Sequence, residues 1–398
     1  MVTEMSDTEQ TSRNPVTVLG LGGGGGRIVD ALSRCRSGRG LRLAAADTDQ
    51  EALACLGGDI ERIPLGSDWT HRTGAGGDMG LGERAAGATA EGLRNAFDGS
   101  RLALVVVGLG GGTGSGASKV VARMAEEMDL TTFFVATLPF SFEGNWPHKQ
   151  AEQALDGLRQ VTDAVVVVPN DLLFTSLSAD TPAGTAFATA DRLLAESLDG
   201  LSRIVSGRAL LPVDFASLRG LIRNRQCVCA LGVGRASGEQ RWQKALEAFL
   251  HCPLTGGPEE LRRADGAVLT LLGGPDLTLG EMQTCLGELQ RFFPAHARVV
   301  KGAHTDDALE GQIQITGVVC RYASAPGSPR KQPVERESHE RKGGRRRRKA
   351  AASELQGELP LEEHSLGIFA ETHPTTFRGQ NLDIPTFQRR GIQLDVGD

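Results

Sequence analysis

The sequence predicts an α/β fold built on parallel strands with helices on both sides. Three observations carry this. Short apolar runs alternate with helix-compatible stretches, the runs lack polar alternation, and two of them end directly in clusters of glycine. Strands that alternate with helices argue for a parallel sheet. Uninterrupted apolar strands fit burial on both faces.

The first block, Val16-Thr-Val-Leu-Gly-Leu-Gly-Gly-Gly-Gly-Gly26 followed by Arg27 to Cys35, reads as strand, tight loop, helix. Leu41–Ala46 is a second strand, ending at Asp47-Thr48-Asp49. Glu83–Phe97 has helical spacing. Leu102–Val107 is a strand closed by Gly108-Leu-Gly-Gly-Gly-Thr-Gly-Ser-Gly116, with a helix over Lys119–Met128. Thr132–Thr137 and Ala164–Val168 are two more strands at βα spacing, and Asp180–Leu211 reads as one long helix. Beyond it, strands are expected at Cys227–Val233, Gly266–Leu272, Ala297–Val300 and Gln312–Val319, and helices at Gln240–Leu250 and Thr278–Phe292. Together they form a second, smaller α/β domain over 223–321.

Past Tyr322 the composition turns to Ser, Pro and charge. Residues 330–349 hold ten Lys or Arg against three Glu, a local net of +7 in a chain whose net is −6. Such asymmetry marks a solvated linker, or a patch drawn to anionic surfaces. No aromatics interleave with the basic residues, which argues against specific nucleic-acid reading. Leu382-Asp-Ile-Pro-Thr-Phe-Gln-Arg-Arg390 sets apolar anchors between charges, as a short docking peptide does. The chain has no apolar run near the ~20 residues that span a bilayer, and the polar start, Met1–Asn14, has no secretory pattern. Seven cysteines, an odd number, suit a reducing cytoplasm. Cys227-Val-Cys229 lacks nearby ligand partners and reads as buried strand, so no protein-held metal is predicted.

Glycine makes up 52 of 398 residues, and its clustering carries the chemistry. Glycine lets backbone N–H groups approach an anion closely, and a following helix points its positive end at the same place. Two such loops, Gly22–Gly26 and Gly110–Gly116, converge on one polyphosphate if their strands are neighbours. Thr113 and Ser115 add hydroxyls, and Gly74-Ala-Gly-Gly77 gives a third flexible loop. The first cluster also satisfies the dinucleotide fingerprint, Gly20-x-Gly22-x-x-Gly25, with Asp47 where a ribose-binding acid would stand. A nicotinamide-dependent dehydrogenase is therefore a rival reading.

The septet Gly110-Gly-Gly-Thr-Gly-Ser-Gly116 resembles the signature of the tubulin/FtsZ family. The resemblance extends through Gly20–Gly26, Thr48-Asp49, Gly74-Ala-Gly76, Pro139-Phe-Ser-Phe-Glu-Gly144, Val168-Pro-Asn-Asp171, Phe187 to Asp191, Val213-Asp-Phe-Ala216, Ala236-Ser-Gly-Glu239 and Asp276-Leu-Thr-Leu279. The segment Leu382 to Phe387 looks like the adaptor-binding peptide of that family. The resemblance implies a Rossmann-type GTPase domain, a central helix, a smaller α/β C-terminal domain and a disordered tail. In residues these are an extension over 1–14, a GTP-binding domain over 15–180, a central helix and catalytic loop over 181–222, a C-terminal domain over 223–321, a basic linker over 322–379 and an adaptor-binding peptide over 380–398. It further implies GTP or GDP as ligand, with Mg²⁺ accompanying the nucleotide, and assembly of copies head-to-tail at a cytoplasmic, midcell division site. A membrane-tethering adaptor would bind Leu382–Arg390.

Carried over residue by residue, the resemblance gives Gly22, Gly23, Gly24, Gly25, Gly26, Arg27, Gly110, Gly111, Gly112, Thr113 and Gly114 to the nucleotide, chiefly at its phosphates. Glu143 would accept from the ribose hydroxyls, Phe187 would cover the base, and Asn170 and Asp191 would read guanine. On residue type alone, Asn170 also fits a turn or helix cap, Phe187 a core position, and Asp191 a solvated helix face. The loop Leu211-Pro-Val-Asp-Phe-Ala-Ser-Leu218 would act on the neighbouring subunit's nucleotide, with Asp214 as the catalytic carboxylate. Here the sequence departs from the family. Pro212 replaces an asparagine, Ser217 a second aspartate, Pro147 an arginine near the nucleotide, and Arg27 and Asp47 asparagines. Serine carries no charge to polarise water, so slow hydrolysis is expected.

Overall fold

The computed structural model describes residues 16–322 except 36–40, 69, 71–72, 163, 176, 204–208 and 223–226, together with the backbone of 376–377 and 380–381. The predicted 1–14 extension, most of the 322–379 linker and the peptide Leu382–Arg390 lie outside the described residues. The chain divides into two units, 1–332 and 333–398. In the second, Thr376–Phe377 pairs antiparallel with Gln380–Asn381.

The first unit is organised by one sheet. Strands β1 (Val16–Leu21), β2 (Leu41–Asp47), β3 (Glu61–Pro64), β4 (Leu102–Gly108), β5 (Thr131–Leu138) and β6 (Ala164–Pro169) run parallel in the order β3-β2-β1-β4-β5-β6. With β7 (Ala209–Leu211), β8 (Cys227–Ser237), β9 (Gly266–Gly273), β10 (Arg298–Thr305) and β11 (Gln312–Tyr322), the sheet continues as β6-β8-β11-β9-β10-β7. The two halves join where Ala164, Val165 and Val166 pair in parallel with Cys227, Val228 and Cys229.

The helices of the N-terminal half are α1 (Gly22–Cys35), α2 (Gln50–Ala54), α3 (Met79–Ala88), α4 (Ala90–Ala96), α5 (Gly112–Glu127), α6 (Asn145–Val161), α7 (Asn170–Leu173) and α8 (Ala183–Ser202). After them come α9 (Phe215–Ile222), α10 (Arg241–Leu250), α11 (Pro258–Arg262) and α12 (Leu279–Gln290). Alternate strand residues feed opposite cores. Val16, Val18, Leu104 and Val106 pack with Val29 and Leu32 of α1 and Leu194 and Leu198 of α8. Leu19, Leu21, Val105 and Val107 pack with α3 to α6 through Ala85, Leu93, Val121 and Leu158. Both faces are covered, which is why these strands show no polar alternation.

Four readings change. The glycine clusters are not free loops: α1 begins at Gly22 and α5 at Gly112. Glycine has poor helix propensity, but tertiary packing overrides it. The Glu83–Phe97 helix is two helices that meet at Thr89, whose hydroxyl donates to Ala85 O (3.1 Å) and accepts from Gly66 N–H (3.2 Å). The Asp180–Leu211 helix ends at Ser202, and Ala209–Leu211 is instead an edge strand antiparallel to β10. Part of the expected catalytic loop is helical, because Phe215–Ile222 buries Leu218, Leu221 and Ile222. Helix α6 was not anticipated. Pro147 sits in its first turn, where no N–H is needed.

In the C-terminal half, Phe249 of α10 is fully buried among Leu269, Leu271 and Ile315. Phe249→Ala should destabilise the folded chain by about 3–5 kcal/mol, read as a lowered denaturant midpoint. A loss under about 1 kcal/mol would contradict the packing described.

Candidate nucleotide-binding site

Strands β1 and β4 are direct neighbours in register, with Gly20 opposite Val106 and Leu21 opposite Val107. The chain order reverses between them, since β1 is followed outward by β2 and β4 by β5. In such sheets ligands bind at the carboxyl ends of the strands on either side of this switch. Both glycine-rich turns leave from there. Gly22 has φ +69°, a value L-residues with side chains rarely adopt, and a Cβ on it would lie 3.1 Å from Gly114 N. The first turns of α1 and α5 thus face one another. A helix's first N–H groups have no partner within the helix, and Gly111 caps α5 without any side chain. The hydroxyls of Thr48 and Thr113 share a 2.5 Å hydrogen bond that ties the end of β2 to α5.

These turns form one side of a cleft of about 460 Å³. Gly22, Gly23, Gly24, Gly111, Gly112, Thr113 and Gly114 line it, as do Arg27, Glu143, Asn170, Phe187 and Asp191. Gly25, Gly26 and Gly110 do not. A Cβ on Gly25 would collide with Val106 O, so this glycine lets α1 press onto the sheet. Gly26 faces Leu56. The Gly110 N–H already donates to Ser115 Oγ at 2.9 Å. Asp47 is also absent from the lining; it is buried beneath Gly23. Burial pushes its carboxyl above the ordinary aspartate value, against the N–H groups of Asp49 and Thr48.

The far wall is aromatic and acidic. Phe140 stacks on Phe142 (5.0 Å) and Phe174 (4.7 Å), and meets the edge of Phe187 at 5.3 Å. Glu143 Oε1 accepts the Phe140 N–H at 2.8 Å, and Asp171 accepts from the Ser141 N–H and hydroxyl at 3.2 Å, fixing this turn to α7. Asp191 of α8 accepts from Arg27 Nε at 3.4 Å, and the Arg27 guanidinium lies 5.9 Å from the Phe187 ring centre. Burial raises the Asp191 carboxyl above its ordinary value, while the charges of Arg27 and Arg34 pull it back. The sequence reading assigned no role to Thr137, Phe140 or Phe142, which also line the cleft. The Phe-Ser-Phe spacing was their available signal: Phe142 is 71% exposed, unusual for a core residue.

Asp214 is away from this cleft and exposed. Its carboxylate accepts from Ala216 N–H and Ser217 N–H at 3.1 Å and from Ser217 Oγ at 2.9 Å, capping the start of α9. The Ser217 hydroxyl first, then the Ala216 N–H, hold its carboxyl below the usual range. At the sheet seam, Cys320 of β11 faces Cys229 across the pairing, so Cys227 and Cys229 do have a thiol neighbour. Cys229 and Cys320 lie 3.5 Å apart, sulfur to sulfur. Hydrogen bonding with Cys227, then with Cys320, and burial push the Cys229 thiol well above its ordinary value.

Comparison with known proteins follows the same outline. The family model for the tubulin/FtsZ GTPase domain matches residues 15–178, and that for the FtsZ C-terminal domain matches residues 227–322. The chain is 34% identical over 307 residues to the cell division protein FtsZ of Haloferax mediterranei, covering 76% of this chain and 80% of that one. It is 30% identical over 393 residues to the cell division protein FtsZ of Pseudomonas aeruginosa, covering 94% and 96%. A solved structure of an empty FtsZ dimer from M. jannaschii aligns with a TM-score of 0.71 at 32% identity, covering 79% of this chain and 90% of that one.

Removing the Ser217 hydroxyl should release the Asp214 carboxylate. Ser217→Ala is expected to move the Asp214 titration upward toward the ordinary aspartate value, read by NMR of the side-chain carboxyl. An unchanged midpoint would contradict the hydrogen bonding described.

Proposed function

The chain belongs to the tubulin/FtsZ family of GTPases, and on that premise we propose that it binds GTP in the β1/β4 cleft and assembles head-to-tail into protofilaments of the division ring. The observation that carries the reading is the meeting of two glycine-rich helix N-termini opposite a half-buried carboxylate and an aromatic ring. The first-turn amides of α1 and α5 would bind the phosphates, with the Thr113 hydroxyl beside them. Asp191 would accept from guanine N1–H and the 2-amino group, which adenine cannot offer at those positions. Asn170 would add a second polar contact to the base, Phe187 would cover its face, and Glu143 would accept from the ribose.

The lining fits a nucleotide-borne Mg²⁺. Glu143 and Asp191, the carboxylates among the lining residues, belong to the ribose and base assignments, so the ion would draw its ligands from phosphate and water, as Mg²⁺ commonly does. Bound there, it would neutralise developing phosphate charge.

Head-to-tail stacking uses two different surfaces, and where the rotation between copies does not close it grows as a filament. The name of the M. jannaschii structure, an FtsZ dimer, supports self-association in this family. In the stack, Asp214 would reach the neighbour's nucleotide and orient the attacking water. Its carboxylate is a weakened base here, because its oxygens already accept three hydrogen bonds. With Ser217 and Pro212 in place of the family's polar and charged groups, and Pro147 in place of an arginine, hydrolysis should be slow. Loss of one positioned electrostatic group typically costs about 10²–10³ in rate. A nonhydrolytic GTP-binding scaffold is the extreme of the same reading. The dehydrogenase alternative loses its main support, since Asp47 lies buried beneath the glycine turn. Among the described residues no helix is long and apolar enough to cross a membrane. Attachment to the division site in the cytoplasm is assigned to an adaptor that binds Leu382–Arg390.

Phosphate release should be slow above the concentration at which the chain sediments with GTP. Asp214→Ala should abolish what remains while leaving GTP affinity unchanged; surviving turnover would remove Asp214 from the chemistry. Deleting residues 380–398 should end adaptor binding and leave sedimentation intact. Loss of assembly in that truncation would contradict the separation of polymerising body and docking peptide.

A further inference from the structure

We propose that Arg27 sets the affinity and capture of guanine nucleotide, by occupying the base-reading end of the cleft with its own guanidinium when no base is present. The proposal rests on the assignment of Asp191 to guanine and goes beyond it to a residue that controls access.

The chemistry of the two occupants is alike. Guanine presents N1–H and a 2-amino group on a planar, guanidine-like edge. Arg27 presents a planar fork of N–H donors. The Arg27 Nε donates to Asp191 Oδ2 at 3.4 Å, and its guanidinium carbon lies 5.9 Å from the Phe187 ring centre. These are the carboxylate and the ring face that the base requires. Base and side chain therefore compete for one set of partners.

The arrangement suits a displaceable occupant. The Arg27 side chain is 59% exposed, whereas that of Asp191 is 17% exposed. The cation can swing into water at little cost, while the carboxylate stays in place. An ion pair with one exposed partner contributes modestly, so it delays the base without excluding it.

Arg27 has a second effect on the same carboxylate. Burial favours the protonated form of Asp191, and Arg27 is the foremost opposing charge, followed by Arg34, also from α1. Glu143 is the other ionisable group lining the cleft. A protonated Asp191 cannot accept both guanine donors. Without Arg27 the competitor is gone at neutral pH, but in the empty protein the carboxylate protonates at a higher pH. One substitution thus tightens binding near neutral pH and brings on the acid fall at a higher pH, so that the two affinities converge in acid, which a purely structural role for Arg27 would not do.

The test is equilibrium and stopped-flow titration of the full chain with a fluorescent GDP, for the unaltered protein, Arg27→Ala and Arg27→Lys, from neutral to acid pH. Near neutral pH, Arg27→Ala should bind about two- to fivefold more tightly, chiefly through faster association. Its affinity should begin to fall at a higher pH than that of the unaltered chain as the solution is acidified. Arg27→Lys, which keeps the charge and loses the fork, should fall between the two. Equal or weaker binding by Arg27→Ala at neutral pH would overturn the proposal, because Arg27 would then be a nucleotide ligand or a bystander. Failure of the unaltered chain to bind the probe would instead overturn the assignment of the cleft to guanine nucleotide.

Discussion

The adjacency of β1 and β4 is the constraint on which the rest depends. Each strand is followed by a helix whose first turn is almost bare of side chains, and their pairing in register brings the two turns together. Separated by even one strand, about 4.8 Å more, the turns could not both reach one polyphosphate. Because crossovers leave β1 and β4 in opposite directions, nothing covers the gap between them, and the cleft follows from topology. The glycines have two distinct tasks there. Gly22, Gly23, Gly24 and Gly111 to Gly114 open backbone to the cleft, while Gly25 lets α1 lie against β4.

Helix α8 supplies the opposite wall and also binds the molecule together. Its Leu194 and Leu198 belong to the same core as strands β1 and β4, and to the same core as Leu231 and Val233 of β8. It also meets the C-terminal half: Arg203, which caps its C-terminus, pairs with Asp306, and Gln314 donates to Glu196 O at 3.4 Å. A side chain that reads the ligand, Asp191, therefore sits on an element packed against both halves. A shift of α8 would move the site and the C-terminal sheet together. Several charged groups at and beyond the cleft are engaged within the chain. Arg27 faces Asp191, Asp47 is buried beneath Gly23, and a serine hydroxyl and two N–H groups occupy the Asp214 carboxylate.

Most strands were legible because they are continuous apolar runs, whereas β3, Glu61-Arg-Ile-Pro64, has none and gave no signal; the glycine clusters were legible because few other structures concentrate that residue. The elements that were misread have a common cause. Gly22–Gly26 and Gly112–Gly116 carry no helical signal of their own, and their helical form is imposed by packing against the sheet. Ala209-Leu210-Leu211 favours helix locally, yet it finds β10 as a strand partner nearly a hundred residues away. Cys320 joins Cys229 through the β8/β11 register, which no local pattern encodes. At the site, Phe187, Asn170 and Asp191 could be named only through resemblance, since singly each fits an ordinary structural role. The Arg27–Asp191 contact spans 164 positions and required the fold.

The most direct test of the account is nucleotide selectivity at equilibrium. The purified chain would be titrated calorimetrically with GTP, GDP, ATP and NAD under one set of conditions. Saturable binding of GTP and GDP at one site per chain, with ATP and NAD far weaker, is the predicted result. No guanine-nucleotide binding, or equal binding of ATP, would contradict the assignment of two helix N-termini and a half-buried aspartate to a single guanine nucleotide.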